Sequence, residues 1–165
     1  MRTIQWFPGH MTRAMRMMGE NAALCDGAVM VLDARCPASS FNVKLKKVFA
    51  GKPVLYVLNK SDLAENAAEW VKAIRAKGGA AVALNATASG CRRELFAACG
   101  EIVRDKRERA IAKGYERVFR FMVLGVPNTG KSTVINLLSG AKRTVTGNKA
   151  GVTRGKQWIR LEGFE

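Results

Sequence analysis

The stretch GVPNTGKST, residues 125–133, decides the fold of this chain. It fits the phosphate-loop template, in which a glycine and four variable residues precede Gly-Lys-Ser. The preceding segment Val118–Leu124 is apolar and β-prone, which predicts a buried strand, and Ser132–Leu138 has helical apolar spacing. A strand, a glycine-rich loop and a helix in this order indicate a phosphate-binding site. A plain glycine turn between strand and helix is the alternative.

Each part of this loop has a chemical task. Glycines let the backbone approach phosphate oxygens, and the N–H groups at the helix start point at the anion. Lys131 would neutralise charge on the β- and γ-phosphates, and the hydroxyl of Ser132 would coordinate Mg²⁺. The candidate nucleotide-binding residues of the loop are Asn128, Thr129, Gly130, Lys131, Ser132 and Thr133.

The tetrapeptide Asn59-Lys60-Ser61-Asp62 predicts which base is bound. It follows an apolar segment, residues 53–58, so a carboxylate would stand at the carboxyl end of a strand. Asp62 could accept hydrogen bonds from N1–H and the 2-amino group of guanine, a donor pair that adenine lacks. Because an unpaired buried carboxylate is costly, such a site can reject adenine by roughly 10⁴-fold. The Lys60 stem could cover the base and Asn59 could join this loop to the phosphate loop, whereas the four residues taken alone fit a surface turn.

A third segment, Asn85-Ala86-Thr87, follows the predicted strand Ala80–Leu84. It resembles the loop of GTPases whose backbone N–H contacts guanine O6, although Asn85 stands where serine is usual. The base-reading segments therefore precede the phosphate loop, which reverses the ordinary GTPase order. This order indicates a circular permutation, which folded domains tolerate because their termini are often neighbours at the surface.

Strand and helix patterns alternate along the chain and predict an α/β fold with a doubly wound, mostly parallel sheet. We therefore expect a phosphate-loop NTPase fold with a permuted motif order, in one domain over residues 1–165. The predicted strands are Ala28–Asp33, Val54–Leu58, Ala80–Leu84, Val118–Leu124 and Gln157–Leu161. The predicted helices lie near Thr12–Asn21, Asn42–Ala50, Ala67–Lys77 and Arg92–Lys113, and from Lys131 onward.

Two N-terminal stretches, IQWFPGHM at Ile4–Met11 and DARCPASS at Asp33–Ser40, narrow the class. They resemble the ribosome-biogenesis GTPases of the YlqF/RbgA family, and the resemblance runs over nearly all of the chain in the right order. It implies a GTP-binding, GTP-hydrolysing assembly factor for the large ribosomal subunit, with GTP or GDP and Mg²⁺ as cofactors. A guanine-nucleotide-dependent rRNA-binding module with little hydrolysis is the alternative, and the base-reading tetrapeptide disfavours an ATPase or a kinase.

The resemblance also implies roles for individual residues. Thr153, in a stretch that looks like switch I (residues 142–155), would close on Mg²⁺ and the γ-phosphate, and Asn128 would help to hold K⁺. The family lacks the usual water-orienting glutamine, and His10 is the candidate catalytic replacement, since histidine can do this work near neutral pH. Packing or capping is the alternative for His10. The family's Asp-x-Pro-Gly motif and C-terminal helical domain do not follow, so we expect either a fragment or a reduced catalytic apparatus.

Charge indicates the kind of partner. Lys and Arg number 28 against 13 Asp and Glu, a formal net charge of +15, which favours non-specific attraction to phosphate backbones. This agrees with the rRNA partner that the resemblance implies. Arg104, Arg107 and Arg109 are candidate RNA-binding residues, with a solvated helix face as the alternative. The four cysteines form no C-x-x-C pair, and neither a signal peptide nor an apolar run of membrane length occurs. We therefore expect a cytoplasmic monomer with reduced thiols and no membrane contact.

Overall fold

The computed structural model of the chain describes the backbone of residues 9–140 and the side chains of residues 16–140. Within that part, the helices are α1 Gly9–Ala22, α2 Pro37–Ser40, α3 Val43–Val48, α4 Ala67–Ala76, α5 Cys91–Ile102, α6 Arg104–Ala112 and α7 Lys131–Ser139, with a 3₁₀ turn at Ser61–Leu63. The strands are β1 Gly27–Asp33, β2 Val54–Asn59, β3 Ala80–Leu84 and β4 Phe121–Leu124. None of the described helices has both the length and the apolar character needed to cross a membrane.

The four strands form one parallel sheet in the order β3-β2-β1-β4. Every residue of β1 is buried, because helices cover both faces of the sheet. Met30 and Leu32 share one apolar cluster with α1, α3 and α4, whereas Val29 and Val31 share the other with α5 and α7. The expected α/β class with a doubly wound parallel sheet is thereby confirmed.

The register of the sheet brings the predicted motifs to one edge. Asp33 at the end of β1 pairs with Asn59 at the end of β2, and Asn59 pairs with Leu84 at the end of β3. The loop that follows β4 leaves from the same carboxyl edge, since all the strands run in parallel. In the sheet, β1 lies between β2 and β4. The strand order therefore reverses between β1 and β4, and doubly wound folds bind ligands in the crevice at such a point.

Two elements differ from the sequence prediction. The helix expected over residues 92–113 is broken at Val103, the residue between α5 and α6 in the sequence. Val103 is buried and has non-helical dihedral angles (φ −115°, ψ 10°). The strand expected from residue 118 begins only at Phe121. The carbonyl of Arg120 accepts hydrogen bonds from the N–H groups of Asp26 and Gly27, after which the ladder with β1 begins. The predicted strand 157–161 lies outside the described residues.

Candidate nucleotide site

The phosphate loop joins β4 to α7 and passes very close to the neighbouring strands. A Cβ atom on Gly125 would lie 2.5 Å from the carbonyl oxygen of Val31 in β1. Gly130 has φ of 90°, and a Cβ there would collide with the side-chain amide of Asn59. Both glycines are thus required by space, and Gly130 is required by its left-handed backbone as well.

Hydrogen bonds within the loop fix its shape. Thr129 is buried, and its hydroxyl donates to the carbonyl of Val126 at 3.1 Å. The ammonium of Lys131 donates to the same carbonyl at 2.8 Å. Burial lowers the pKa of Lys131 from its usual value, because desolvation penalises the charged form. An anion at this loop would oppose that shift, which is what a phosphate-binding lysine requires.

Asn59 joins the base-reading loops to the phosphate loop. Its side chain is buried, donates through Nδ2 to the carbonyl of Thr129 at 3.0 Å, and accepts through Oδ1 from the N–H of Ala86 at 3.0 Å. One amide therefore connects segments that are 70 and 27 residues away along the chain. The connection between Asn59 and the phosphate loop that the sequence predicts is present in the structure.

Lys60 makes a second connection to the phosphate loop. Its backbone is left-handed (φ 62°), and its ammonium donates to the carbonyl of Asn128 at 2.8 Å and to Oδ2 of Asp33 at 2.9 Å. Asn128 is itself left-handed (φ 65°) and exposed. The loop is thus held from one side by two consecutive residues of the tetrapeptide.

The remaining residues that are predicted to read the base lie at the same edge. Asp62 is exposed in the 3₁₀ turn, and no side chain among the described residues donates to its carboxylate. Asn85 accepts from the N–H of Thr87 at 3.0 Å and from its hydroxyl at 2.6 Å, which closes a tight turn. The N–H of Ala86, the expected donor to guanine O6, donates here to Asn59, so a base carbonyl would have to share or replace that bond.

Ser132 is the second residue of α7, so its hydroxyl oxygen is carried at the start of the helix behind the phosphate loop. Oxygen is the ligand atom that Mg²⁺ prefers, and this ion uses few protein ligands together with substrate phosphates, so the residue fits the role. Thr133 follows it in the same turn. Thr153 lies outside the described residues, and His10 lies in α1 with its side chain outside the described part.

The candidate RNA-binding arginines lie on α6, but neighbouring basic residues have structural partners. Lys106 and Arg117 both contact the buried carboxylate of Asp26, at 3.4 and 2.6 Å. Arg104 pairs with exposed Glu101 at 2.6 Å. Lys106 and Arg117 therefore stabilise the fold, and Arg107 and Arg109 are the candidates that form no ion pair with a described residue.

The sequence draws attention to Asp33 and Arg35 only through the family resemblance, which assigns them no part in the site. The structure gives the Asp33 carboxylate four donors: Arg35 through N at 3.1 Å, Nε at 2.9 Å and a terminal nitrogen at 2.8 Å, and Lys60 through Nζ. The Arg35 guanidinium and then Lys60 hold the pKa of Asp33 well below its usual range, against the effect of burial. The sequence signal that could have identified Asp33 is its position as a carboxylate at the end of a predicted strand, next to the strand that precedes Asn59.

The fold and the site together define a class of protein, a permuted phosphate-loop domain of the GTPase type. A family model described as a 50S ribosome-binding GTPase matches residues 120–165. Ribosome biogenesis GTPase A of Bacillus cereus is 40% identical over 161 residues, covering 96% of this chain and 54% of that protein. The protein of the same name from Thermotoga maritima is 32% identical over 164 residues, covering 96% and 55%.

Solved structures agree with these relatives. GNP-bound YlqF from T. maritima superposes with a TM-score of 0.64 at 26% identity, covering 91% of this chain and 53% of that one. A GDP-bound YlqF structure gives 0.60 at 28% identity, covering 78% and 49%. The resemblance to the YlqF/RbgA family is thereby confirmed over the segment that the chain shares with these proteins. The chain spans about half the length of the curated relatives it matches.

Proposed function

We propose that this chain binds guanine nucleotides and hydrolyses GTP as an assembly factor for the large ribosomal subunit. The observation that carries the proposal is the Asn59 side chain, which bridges Ala86 and Thr129 at the carboxyl edge of the sheet. This bridge places the base-reading loops against the phosphate loop, as recognition of one nucleotide by both requires. The names of the relatives, ribosome biogenesis GTPase A and YlqF, support the ribosomal part.

In this proposal the base is read at Asp62, whose exposed carboxylate accepts two hydrogen bonds from guanine, and in the loop Asn85–Thr87. The stem of Lys60 covers one face of the base. Asp62 is exposed, not buried as the sequence argument assumed, so discrimination requires that the bound base shield its carboxylate from water. Adenine would then cover the carboxylate without offering a matching donor pair. The N–H of Ala86 turns from Asn59 to guanine O6 or is shared between them.

The phosphates occupy the loop before α7. Lys131, now on a loop carbonyl, moves its ammonium to the β- and γ-phosphate oxygens, while the backbone N–H groups of Gly130–Thr133 bind the anion at the helix start. Ser132 and Thr153 would hold Mg²⁺, which neutralises developing charge on the phosphates. Asn128 would help to hold K⁺. His10 orients the attacking water, a task that suits a histidine near neutral pH.

Arginines on α6, with half-buried Arg107 and exposed Arg109 foremost, are proposed to contact the phosphate backbone of rRNA. A protein that works on ribosomal particles is expected to act as a cytoplasmic monomer. The net charge of +15 supports attraction to RNA without specifying a sequence.

Titration with GTP, GDP and ATP tests the nucleotide part directly. We expect guanine nucleotides to bind at least 10³-fold more tightly than ATP, on the order of the selectivity that a hydrogen-bonding site achieves. Lys131→Ala should abolish tight triphosphate binding without lowering the melting temperature, since the lysine is not part of the core. Equal affinity for ATP and GTP would contradict the assignment of the base site.

GTP turnover measured with and without large ribosomal subunits, in KCl and in NaCl, tests the proposed hydrolysis, the ribosomal partner and the K⁺ site. Hydrolysis that rises with subunits supports the assembly factor, and faster hydrolysis in KCl supports the K⁺ site. Nucleotide-dependent binding to subunits with no turnover under any condition would instead support the rRNA-binding module.

A further inference from the structure

Asp33 ends β1 at the edge where the proposed phosphates lie, and its side chain is only 8% exposed. A buried carboxylate there would repel an anion and would be costly to desolvate if it were alone. Its oxygens are instead fully engaged. Oδ1 accepts from the backbone N and Nε of Arg35, and Oδ2 accepts from a terminal nitrogen of Arg35 and from Lys60. The charge is therefore compensated by two cations from two loops.

The geometry of Lys60 depends on this carboxylate. Lys60 has a left-handed backbone, a conformation that non-glycine residues keep only where the surroundings fix it. Its ammonium donates to Oδ2 of Asp33 and to the carbonyl of Asn128. Of these two partners, only Asp33 is charged. It ends β1, which is an inner strand of the sheet. Asp33 therefore fixes the position of the Lys60 ammonium, and with it the path of the aliphatic part of the Lys60 side chain.

We propose that Asp33 is a positioning residue for guanine recognition, which acts through Lys60 to hold the base-reading loop against the phosphate loop. The inference rests on the proposed guanine-nucleotide function. Without the carboxylate, the ammonium keeps only a neutral carbonyl partner on an exposed loop. The aliphatic part of the Lys60 side chain then adopts other conformations and no longer covers one face of the base.

A double-mutant cycle on the full 165-residue chain tests the coupling. Asp33→Asn keeps the size of the side chain and removes its charge, and Lys60→Met keeps the stem and removes the ammonium. We expect each change to weaken GDP binding by about 10-fold, the effect of removing one charge-assisted hydrogen bond. The double variant should bind GDP no more weakly than Lys60→Met alone, because both changes remove one interaction.

Asp26 supplies a matched control. Its side chain is 9% exposed against 8% for Asp33, and it also pairs with two cations, Lys106 and Arg117. It directly precedes β1, at the end opposite Asp33 and about 23 Å away at the usual rise of a strand. Asp26→Asn should lower the melting temperature as Asp33→Asn does, while leaving GDP affinity within about twofold. Equal loss of GDP affinity in both variants would reduce Asp33 to a merely structural residue.

Two other outcomes are decisive. Losses that add in the double variant would overturn the coupling between Asp33 and Lys60 while the proposed function stands. A wild-type chain that binds GDP no better than ADP would remove the proposed function and the inference with it. If Asp33→Asn does not fold, the variant that combines Asp33→Asn with Arg35→Gln takes its place in the cycle, because this variant removes a cation together with the carboxylate charge.

Discussion

At Gly130 the side chain of Asn59 packs so closely against the phosphate loop that no space remains for a Cβ atom. A methyl group at Gly130 would be strained by φ of 90° and would also strike the Asn59 amide. Gly78 separates the two effects, since it has φ of 75° and no atom lies within 4 Å of where its Cβ would stand. The left-handed backbone alone costs roughly 1–2 kcal/mol for a residue with a side chain. Any loss beyond that at Gly130 reports on the bridge to the base-reading loop.

We therefore expect Gly130→Ala to lose more unfolding free energy than Gly78→Ala and to lose GDP affinity as well. Urea denaturation gives the first quantity and nucleotide titration the second. Gly78→Ala should keep its nucleotide affinity, because this glycine follows α4 at the opposite edge of the sheet. Equal behaviour of the two variants in both measurements would show that the collision with Asn59 has no consequence.

Asp33 gives a pH dependence of defined sign. Arg35 and Lys60 hold its pKa in the folded chain below the usual value of 3.8, so the unfolded chain takes up a proton first as the pH falls. The contribution of Asp33 to stability is thus complete well above pH 4 and is lost progressively below it. The free-energy difference between wild type and Asp33→Asn should shrink below pH 4, by at most about 1.4 kcal/mol per pH unit. A difference that stays constant between pH 6 and pH 3 in urea denaturation would contradict this.

At the scale of elements, local pattern predicts the existence of strands and helices well and their ends less well. Ala80–Leu84 is found as predicted, because its apolar run is bounded by glycine and by a polar turn. The delayed start of β4 could not be predicted, since it depends on Asp26, a residue 94 positions away in sequence from Arg120. The break at Val103 likewise depends on what packs around that side chain. For the same reason the sequence could not show that two neighbouring cations, Lys106 and Arg117, pair with Asp26.

The end of α1 depends on the side chain of Lys52, which lies in the turn between α3 and β2. The ammonium of Lys52 donates to the carbonyls of Ala22 at 2.5 Å, Ala23 at 3.0 Å and Cys25 at 2.6 Å. A helix leaves its last carbonyls without partners inside the helix, and a cation there also interacts favourably with the helix dipole. Lys52 therefore anchors the helix that carries His10.

We expect Lys52→Met to destabilise the chain by about 1.5–3 kcal/mol, the usual range for hydrogen bonds to a charged group. Amide hydrogen exchange should rise in α1 more than in the sheet. Lys47→Met is the matched control, because Lys47 is an exposed lysine on α3 that forms no ion pair with a described residue. Similar exchange in the two variants would mean that the three carbonyl contacts do not stabilise the helix.

Over the whole molecule, the candidate site follows from the parallel sheet. The motifs could be predicted from the sequence because each follows an apolar strand, and parallel strands end at one edge. The contacts among them could not be predicted, since Asn59, Lys60 and Asp33 meet the phosphate loop only after the strands pair in register. The two edges of the sheet thus differ in role. Asp33 serves the loops of the carboxyl edge, and Asp26 holds α6 and the segment before β4 at the other.

This division makes a prediction about the charged surface. Reversing Arg107 and Arg109 to Glu removes two cations of α6 that form no ion pair with a described residue, and leaves Lys106 and Arg117 on Asp26. If these arginines contact rRNA phosphates, the slope of log K against log salt concentration should become less steep by roughly 0.7–0.9 for each phosphate that is no longer neutralised. The melting temperature should change little, because the stabilising pairs are untouched.

The control changes the same net charge on another helix. Lys46→Glu with Lys47→Glu reverses two exposed lysines on α3, so it alters overall attraction to RNA equally but leaves α6 intact. Fluorescence titration of a large-subunit rRNA fragment at several salt concentrations measures both slopes. A flatter slope for the α6 variant alone assigns the contact to that helix, since both variants change the net charge by the same amount. Equal slopes would show that RNA responds to net charge and that α6 has no special part.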